Sequence, residues 1–395
     1  MNSFTFYSPT KIFFGQGMSD NISDYIKSYA PDKIFSKVFI VYGSERIKKS
    51  GLLGKIESAL HEANIEYMNF GGVKANPTLE HAYKGIELSK SFNPDLILAI
   101  GGGSVIDTAK AIAHGTANPQ NDIWDFWMGQ AVLSKSLPIA CVLTIPAAGS
   151  ECSNSAVLTN TQTAQKRGLS TDLNRPLFSV LDPALACTLP KYQIGCGITD
   201  IMMHTMDRYF NPTENEMTDA IAEALLRTVI KYGSVLIRNP HNYEAMSEIM
   251  WAGTLSHNDL TGLGGKKDFA PHQLGHELSA CFDLAHGASL STVWESWARY
   301  VYTAKPSRFA RFARNVWNIS EANDCPAAVA GIKATVDYFK SLGMPTCMSE
   351  SVGIKDKAVI RKLTSGCSRN SSRTIGTFKI LNDNDIQEIY KMANH

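Results

Sequence analysis

Excess charge of either sign is missing from this sequence: 38 Lys and Arg stand against 37 Asp and Glu in 395 residues, a formal charge of +1. A nucleic-acid binder or a polybasic membrane-surface protein would show a basic surplus, so both are excluded and a small-molecule partner is expected. Long apolar runs are missing as well. The most apolar one, Leu96 to Ile100, falls far short of the ~20 residues of a membrane helix. The stretch MNSFTFYSPTKIFFGQG alternates strand-like residues and has no basic segment followed by an apolar one, so no signal peptide is expected. The eight cysteines (Cys141, Cys152, Cys187, Cys196, Cys281, Cys325, Cys347 and Cys367) form no C-x-x-C pair and show no short regular spacing. That argues against a zinc ribbon, a redox dithiol or a disulfide framework, and fits free thiols in a reducing cytoplasm.

What is present is enough apolar sequence, 44%, to bury a large core in about two domains. In the first half, short apolar runs at 38–42, 65–70, 95–100 and 138–145 alternate with helical patterns at roughly 50–63, 78–92 and 104–114. Such alternation predicts a parallel sheet covered by helices on both faces, with ligands at the carboxyl ends of the strands. From about residue 191 the apolar spacing becomes three-to-four and little strand signal remains. The expected boundary lies near 185–191, drawn as an α/β domain over 1–188 and an all-helical domain over 189–395.

Two loops in the first half invite a nucleotide. DLILAIGGGSVIDTAKAIA runs from a buried strand through Gly101, Gly102 and Gly103 into a helix near Ser104, where free backbone N–H groups and the helix dipole can hold a phosphate. The pattern is neither G-x-G-x-x-G nor a Walker loop, and a tight turn that binds nothing stays open. YGSERIKKSG, residues 42–51, also follows a strand and carries Ser44, Arg46, Lys48 and Lys49, which suits a ribose or its phosphate.

In the second half, HQLGHELSACFDLAHG places His272, His276 and His286 within fifteen residues. On a helix over 269–284, His272 and His276 share a face, and His286 lies past its end. GITDIMMHTMDRYFNP offers a second pair, Asp200 and His204, on a helix that Asn211-Pro212 should stop. Asp and His donors without thiolates suit Fe(II), and Zn(II) fits too. The order H-Q-L-G-H-E rules out a zincin, while hydrogen-bonded core histidines remain an alternative. His61, His81, His114, His241 and His257 have no such company and default to surface or core.

The glycine loop, the D-x-x-x-H pair and the H-x-x-x-H-(nine residues)-H stretch, with YGSERIKKSG, GGVKANP, PAAGSE, VLDP, SLGMPT and IGTFKILNDNDI, resemble the iron-containing (group III) alcohol dehydrogenase family over nearly the whole chain. Within it the similarity is to the butanol dehydrogenase and aldehyde reductase branch. The resemblance implies a dehydroquinate synthase-like fold, with a dinucleotide-binding first domain, a metal-binding helical second domain and an active site in the cleft between them. It implies Fe2+ (or Zn2+) on Asp200, His204, His272 and His286, with His276 catalytic as the proton-handling residue rather than a ligand. Cofactor positions then fall on Gly43, Ser44, Gly102, Gly103, Ser104, Thr144 and Lys166, and Asp107 and Lys110 lie one helical turn further along the glycine-loop helix. The expected reaction is hydride transfer between NAD(P)(H) and a small primary alcohol or aldehyde in a cytoplasmic homodimer. Gly43 stands where NAD-preferring relatives carry an acidic residue, so NADP(H) is favoured over NAD(H), although Glu45 argues the other way. Three departures stand out: Ala148 for a threonine, Asp207 for a glutamate, and Gly195 for a larger apolar residue. A polyol dehydrogenase or lyase of the same fold would want a more polar pocket than Trp294, Trp297, Met202 and Met203 suggest. A non-catalytic nucleotide- or metal-binding protein is the reading from another class.

Overall fold

The four apolar runs of the first half are parallel strands. The computed structural model describes residues 2–29 and 35–395, and the chain divides into two compact units, Tyr7–Thr188 and Leu189–His395, the second joined by the described residues up to Phe6. In the first unit, β1 (Lys11–Phe14), β2 (Lys37–Tyr42), β3 (Glu66–Phe70), β4 (Leu96–Gly101), β5 (Ile139–Leu143) and β8 (Phe178–Leu181) form one sheet in the order β1-β8-β5-β4-β2-β3. Every pairing in it is parallel. All six residues of β4 are buried, as a strand covered on both faces requires.

Helices of eight or more residues are numbered here in chain order. Those of the first unit are α1 (Ile22–Tyr29), α2 (Leu52–Glu62), α3 (Leu79–Phe92) and α4 (Gly103–Ala117). Val38, Ile40, Leu96, Leu98 and Ile100 share one core with Ile22 and Ile26 of α1 and Leu53, Ile56 and Leu60 of α2. Phe39, pointing to the opposite face, meets Phe92 of α3 at 6.5 Å between ring centroids. The chain leaves β2 towards β3 but leaves β4 towards β5, so the crevice of a doubly wound sheet opens at the carboxyl ends of β2 and β4. Gly43 and the glycine loop occupy those two ends.

Several elements of the first half were not foreseen, α1, β8 and a hairpin among them. β6 (Ser155–Asn160) and β7 (Gln165–Ser170) form a separate antiparallel hairpin. Its half-polar sequences, SAVLTN and QKRGLS, carry no apolar run for a pattern search to find.

The second unit holds α5 (Lys191–Tyr209), α6 (Glu216–Arg238), α7 (Tyr243–His257), α8 (Ala270–Phe282), α9 (His286–Val301), α10 (Pro306–Trp317), α11 (Asp324–Ser341), α12 (Lys357–Ser368) and α13 (Asp383–Ala393). Among the described residues it contains no strand, only an isolated bridge between Ile375 and Leu381. Trp294, Trp297, Met202 and Met203 are all buried in this helical core, with Trp294 edge-on to Phe339 and Trp297 against Phe210. They therefore carry no information about a substrate pocket. Arg308, itself buried, forks onto both oxygens of Asp219 and donates to the Tyr209 carbonyl at the end of α5. One satisfied buried cation thus ties α10 to α6 and to the last turn of α5.

His114 on α4 is buried in the first unit, with Nε2 2.8 Å from Asn174 Oδ1 and Nδ1 2.8 Å from Ser136 Oγ. Burial pushes its pKa down to about 4. Its protonation on unfolding therefore destabilises the fold as pH falls from about 6.5 towards 4, by roughly 2 kcal/mol at pH 5. Urea unfolding at pH 7 and pH 5 should show a loss smaller by about 2 kcal/mol in His114→Gln than in the wild type.

Candidate metal centre

Asp200, His204 and Asp207 recur at i, i+4 and i+7 on α5, so all three side chains leave one face of that helix. Opposite them, α8 starts at Ala270-Pro271, with Phe269 before it in a left-handed conformation (φ 55°) and the Asp268 carboxylate accepting from the Ala270 N–H. This start puts His272 in the first turn. The helix ends at Phe282, Asp283 is left-handed, and the chain turns back so that His286 opens α9. The start of this second helix carries His286 back beside His272 and His276.

Three histidine nitrogens converge on Asp200 Oδ1: His204 Nδ1 at 3.4 Å, His286 Nε2 at 3.6 Å and His272 Nε2 at 3.8 Å. Asp200, His204 and His272 each offer one donor atom within 4.8 Å of the others, and all three are buried. The His286 side chain is 25% exposed. Burial, helped by the neighbouring His257 and His272 rings, holds His204 well below the usual imidazole range, so it stands neutral with a lone pair to give. Burial also opposes charge on His272, but the Asp207 and Asp200 carboxylates outweigh it and raise that ring. His204 Nδ1 and His272 Nε2 are buried without a hydrogen-bond partner, which is the signature of donors arranged for a ligand. An N/O donor set of this kind, without sulfur, fits a divalent cation.

Asp207 completes the geometry. Fully buried, its Oδ2 lies 2.6 Å from His272 Nδ1, which fixes that ring and leaves Nε2 turned to Asp200. His257 at the end of α7, left without company by its spacing in the sequence, packs its ring edge-on to His204 at 4.0 Å. His276 stands one ring further out, 5.4 Å from His286 and 6.2 Å from His272 between centroids.

In the first unit the other candidates gather around α4. No side chain caps its N-terminus at Gly102, and a helix start of this kind can offer backbone N–H groups to an anion. A Cβ on Gly102 would lie 3.0 Å from Ile145, and one on Gly103 would lie 3.0 Å from the Ala148 methyl. The loop after β5 thus closes on the glycines, and the Thr144 N–H donates to the Gly101 carbonyl at 3.0 Å. Gly43 lies beside Val105 of α4, and Ser44 is exposed next to it. Ser104 is half-buried in the first turn of α4. Lys166 lies on β7 and donates to Asn76 at 2.9 Å.

Asp107 uses both oxygens inside the protein, accepting from Ser150 Oγ at 2.6 Å and from the Val157 N–H at 2.9 Å. Lys110 is fully buried and donates to the Ser150 and Ser155 carbonyls and to Ser150 Oγ. These two side chains bind α4 to the 146–155 segment and to the hairpin.

The family description "Iron-containing alcohol dehydrogenase" matches residues 9–183, and "Fe-containing alcohol dehydrogenase family, C-terminal" matches residues 196–394. The chain belongs to the iron-containing alcohol dehydrogenase family. It is 41% identical to NADH-dependent butanol dehydrogenase A of Clostridium acetobutylicum over 100% of both chains. With the NADPH-dependent aldehyde reductase YqhD of Escherichia coli K12 it shares 35% identity over 89% of each. The crystal structure of NADH-dependent butanol dehydrogenase A from Thermotoga maritima superposes with a TM-score of 0.95 at 34% identity, covering 100% of this chain and 99% of that one.

Within this family the departure at Asp207 gains a physical meaning, because the residue there holds a ring of the donor set. Its i+7 offset from Asp200 was the signal available in the sequence. Truncating it in Asp207→Ala should weaken divalent-metal binding by about 10–100-fold while the helical fold persists. Chelator competition against the purified protein, with circular dichroism as the control, measures this.

Proposed function

We propose that the chain is an NAD(P)-dependent alcohol dehydrogenase and aldehyde reductase for small primary alcohols and aldehydes of the butanol type, with iron held by Asp200, His204, His272 and His286. The convergence of three buried donors within 4.8 Å, in a family member 41% identical to a butanol dehydrogenase, carries this reading. Zinc fits the same donors. A cation bound there supplies Lewis-acid polarisation of the alcohol or aldehyde oxygen.

The chain's own residues do the rest. Asp200 brings the negative charge that offsets part of a dication, His204 brings a neutral lone pair, His272 gives its Nε2 lone pair once the cation displaces a proton there, and Asp207 keeps the His272 ring aimed. A bound nicotinamide would supply the two-electron acceptor or donor for the substrate carbon, and one proton is released per alcohol oxidised. His276 takes that proton on a ring nitrogen and returns it in the reverse direction, as an imidazole near neutrality can. The amides of Gly103 and Ser104 at the start of α4, next to Gly102, hold the pyrophosphate. Thr144 and Lys166 serve the nicotinamide side, and Gly43 and Ser44 the adenine ribose. Asp107 and Lys110 act by fixing the wall of that site. The eight free thiols support a cytoplasmic setting, and a homodimer is part of the same proposal, checked by light scattering.

Metal-replete protein should oxidise reduced nicotinamide in the presence of butanal, and Asp200→Ala should lose both metal and turnover. Full activity in metal-free Asp200→Ala would sink the assignment. His276→Ala should keep its metal and slow by about 10²–10⁴-fold with an altered pH–rate profile, and an unaltered profile would remove His276 from the proton path.

For the cofactor, NADPH is supported by the lack of a carboxylate at Gly43 and by the pairing of Glu45 with Lys48 at 3.0 Å. The name of the 41%-identical relative points to NADH. Initial rates on butanal should be at least as fast with NADPH as with NADH, and a strong NADH preference overturns this part.

A further inference from the structure

Gly287 follows the outermost donor, and the space for a side chain there is already filled by backbone. A Cβ built on it would fall on the Cys196 carbonyl oxygen and lie 2.7 Å from both Cys196 C and Cα. A side chain in the way can rotate, but a helix backbone cannot. Cys196 sits one turn before Asp200 on α5, so this contact is where the first turn of α9 rests on the helix that carries the carboxylate. The Ala288 N–H also faces the Cys196 thiol at this spot. Nor can α5 retreat. On a neighbouring face, a Cβ at Gly195 would lie 2.6 Å from the Leu342 carbonyl oxygen and 3.0 Å from Met344 Cε. The departure at Gly195 therefore lets α5 be wedged between the 342–344 turn and α9.

We infer that Gly287 is a positioning residue for the metal centre: its lack of a side chain lets α9 lie on the backbone of α5 at Cys196, and this sets His286 against Asp200. The inference rests on the reading of Asp200, His204, His272 and His286 as the ligands. Any side chain at 287 lifts the start of α9 off α5 and carries the His286 ring with it. The other three donors stay, because α5 and α8 hold them.

The test uses full-length protein stripped of metal and titrated with Co(II) alone. Cobalt affinity is read by chelator competition, coordination geometry by the visible Co(II) bands, and fold by the melting temperature of the metal-free protein. His286→Ala and Gly287→Ala should each weaken cobalt binding by about tenfold or more. The double variant should bind within about twofold of His286→Ala, since one change acts through the other. The Co(II) bands of Gly287→Ala should move towards those of His286→Ala.

Gly331→Ala is the control, because its Cβ would meet Ala313 Cβ at 2.7 Å between α10 and α11. It should lower the melting temperature and leave cobalt affinity unchanged. Cys196→Ala removes the thiol beside Ala288 without adding bulk, so it serves should Gly287→Ala not fold, and its weakening of cobalt binding should vanish in the His286→Ala background. Wild-type affinity in both Gly287→Ala and Cys196→Ala, or independent effects in the double variant, overturns the role of Gly287. Wild-type affinity in His286→Ala overturns the ligand reading instead.

Discussion

The Asp200 carboxylate is held out of water, with three imidazole nitrogens drawn to within 4 Å of one of its oxygens. Removing an ionised carboxylate from water is expensive unless a partner charge or hydrogen bonds replace the solvent; burial keeps the His204 ring neutral, while the two carboxylates favour positive charge on the His272 ring. The arrangement makes physical sense around a cation. Much of the second unit can be understood as the means of holding it. Asp207 locks one ring from below, and Arg308 and Asp219 anchor the end of the helix that carries both carboxylates. Glycine contacts bring the third helix close enough to contribute.

The first unit uses a buried charge of the opposite sign to a similar end. The Lys110 ammonium, with no exposure, is satisfied by two carbonyls and a hydroxyl, and Ser150 relays it to Asp107. A lysine spent in this way cannot also meet a phosphate. Its effect is to fold the segment after β5 onto the glycines, where the Ala148 methyl sits against Gly103. The uncapped start of α4 is then left to bind an anion through backbone amides alone, and such amides serve a pyrophosphate without needing a cationic side chain.

How much of this the sequence revealed depended on the kind of information each feature needs. Helix and strand periodicity depends on the local chain, and so four of the parallel strands, three helices of the first half and the Asp200/His204 face were legible, while the short β8 and α1 were not. The hairpin β6–β7 was not legible either, because its apolar alternation is short and weak even though Ala156 and Leu158 are buried. Asp207 was noted only as a departure, since its value depends on α8 packing across from α5. His257 lies some fifty residues from His204 and touches it only through tertiary packing, so spacing could not supply the link. Trp294 and Trp297 were suggestive of a pocket for the opposite reason: a large apolar residue near a motif is core more often than lining, and here both are buried against other aromatics. Gly287 illustrates a further limit, because a glycine required by close backbone approach looks in sequence like any other glycine after a helix start.

Burial around the donor set runs in one direction, and that direction has a chemical consequence. Asp207 is fully enclosed, Asp200, His204 and His272 are nearly so, His286 is a quarter exposed, and His276 beyond it is half-buried. The carboxylate end is closed by α5, α7 and α8, so small molecules and protons have access from the side that His286 and His276 share. A proton carrier placed at the closed end would exchange slowly with water, whereas one beside the most exposed donor can reach both the reacting oxygen and solvent. The same exposure leaves His286 the donor least held by surrounding packing. Its position is therefore set by the backbone contact beneath it, and the open side of the centre is bought with a glycine.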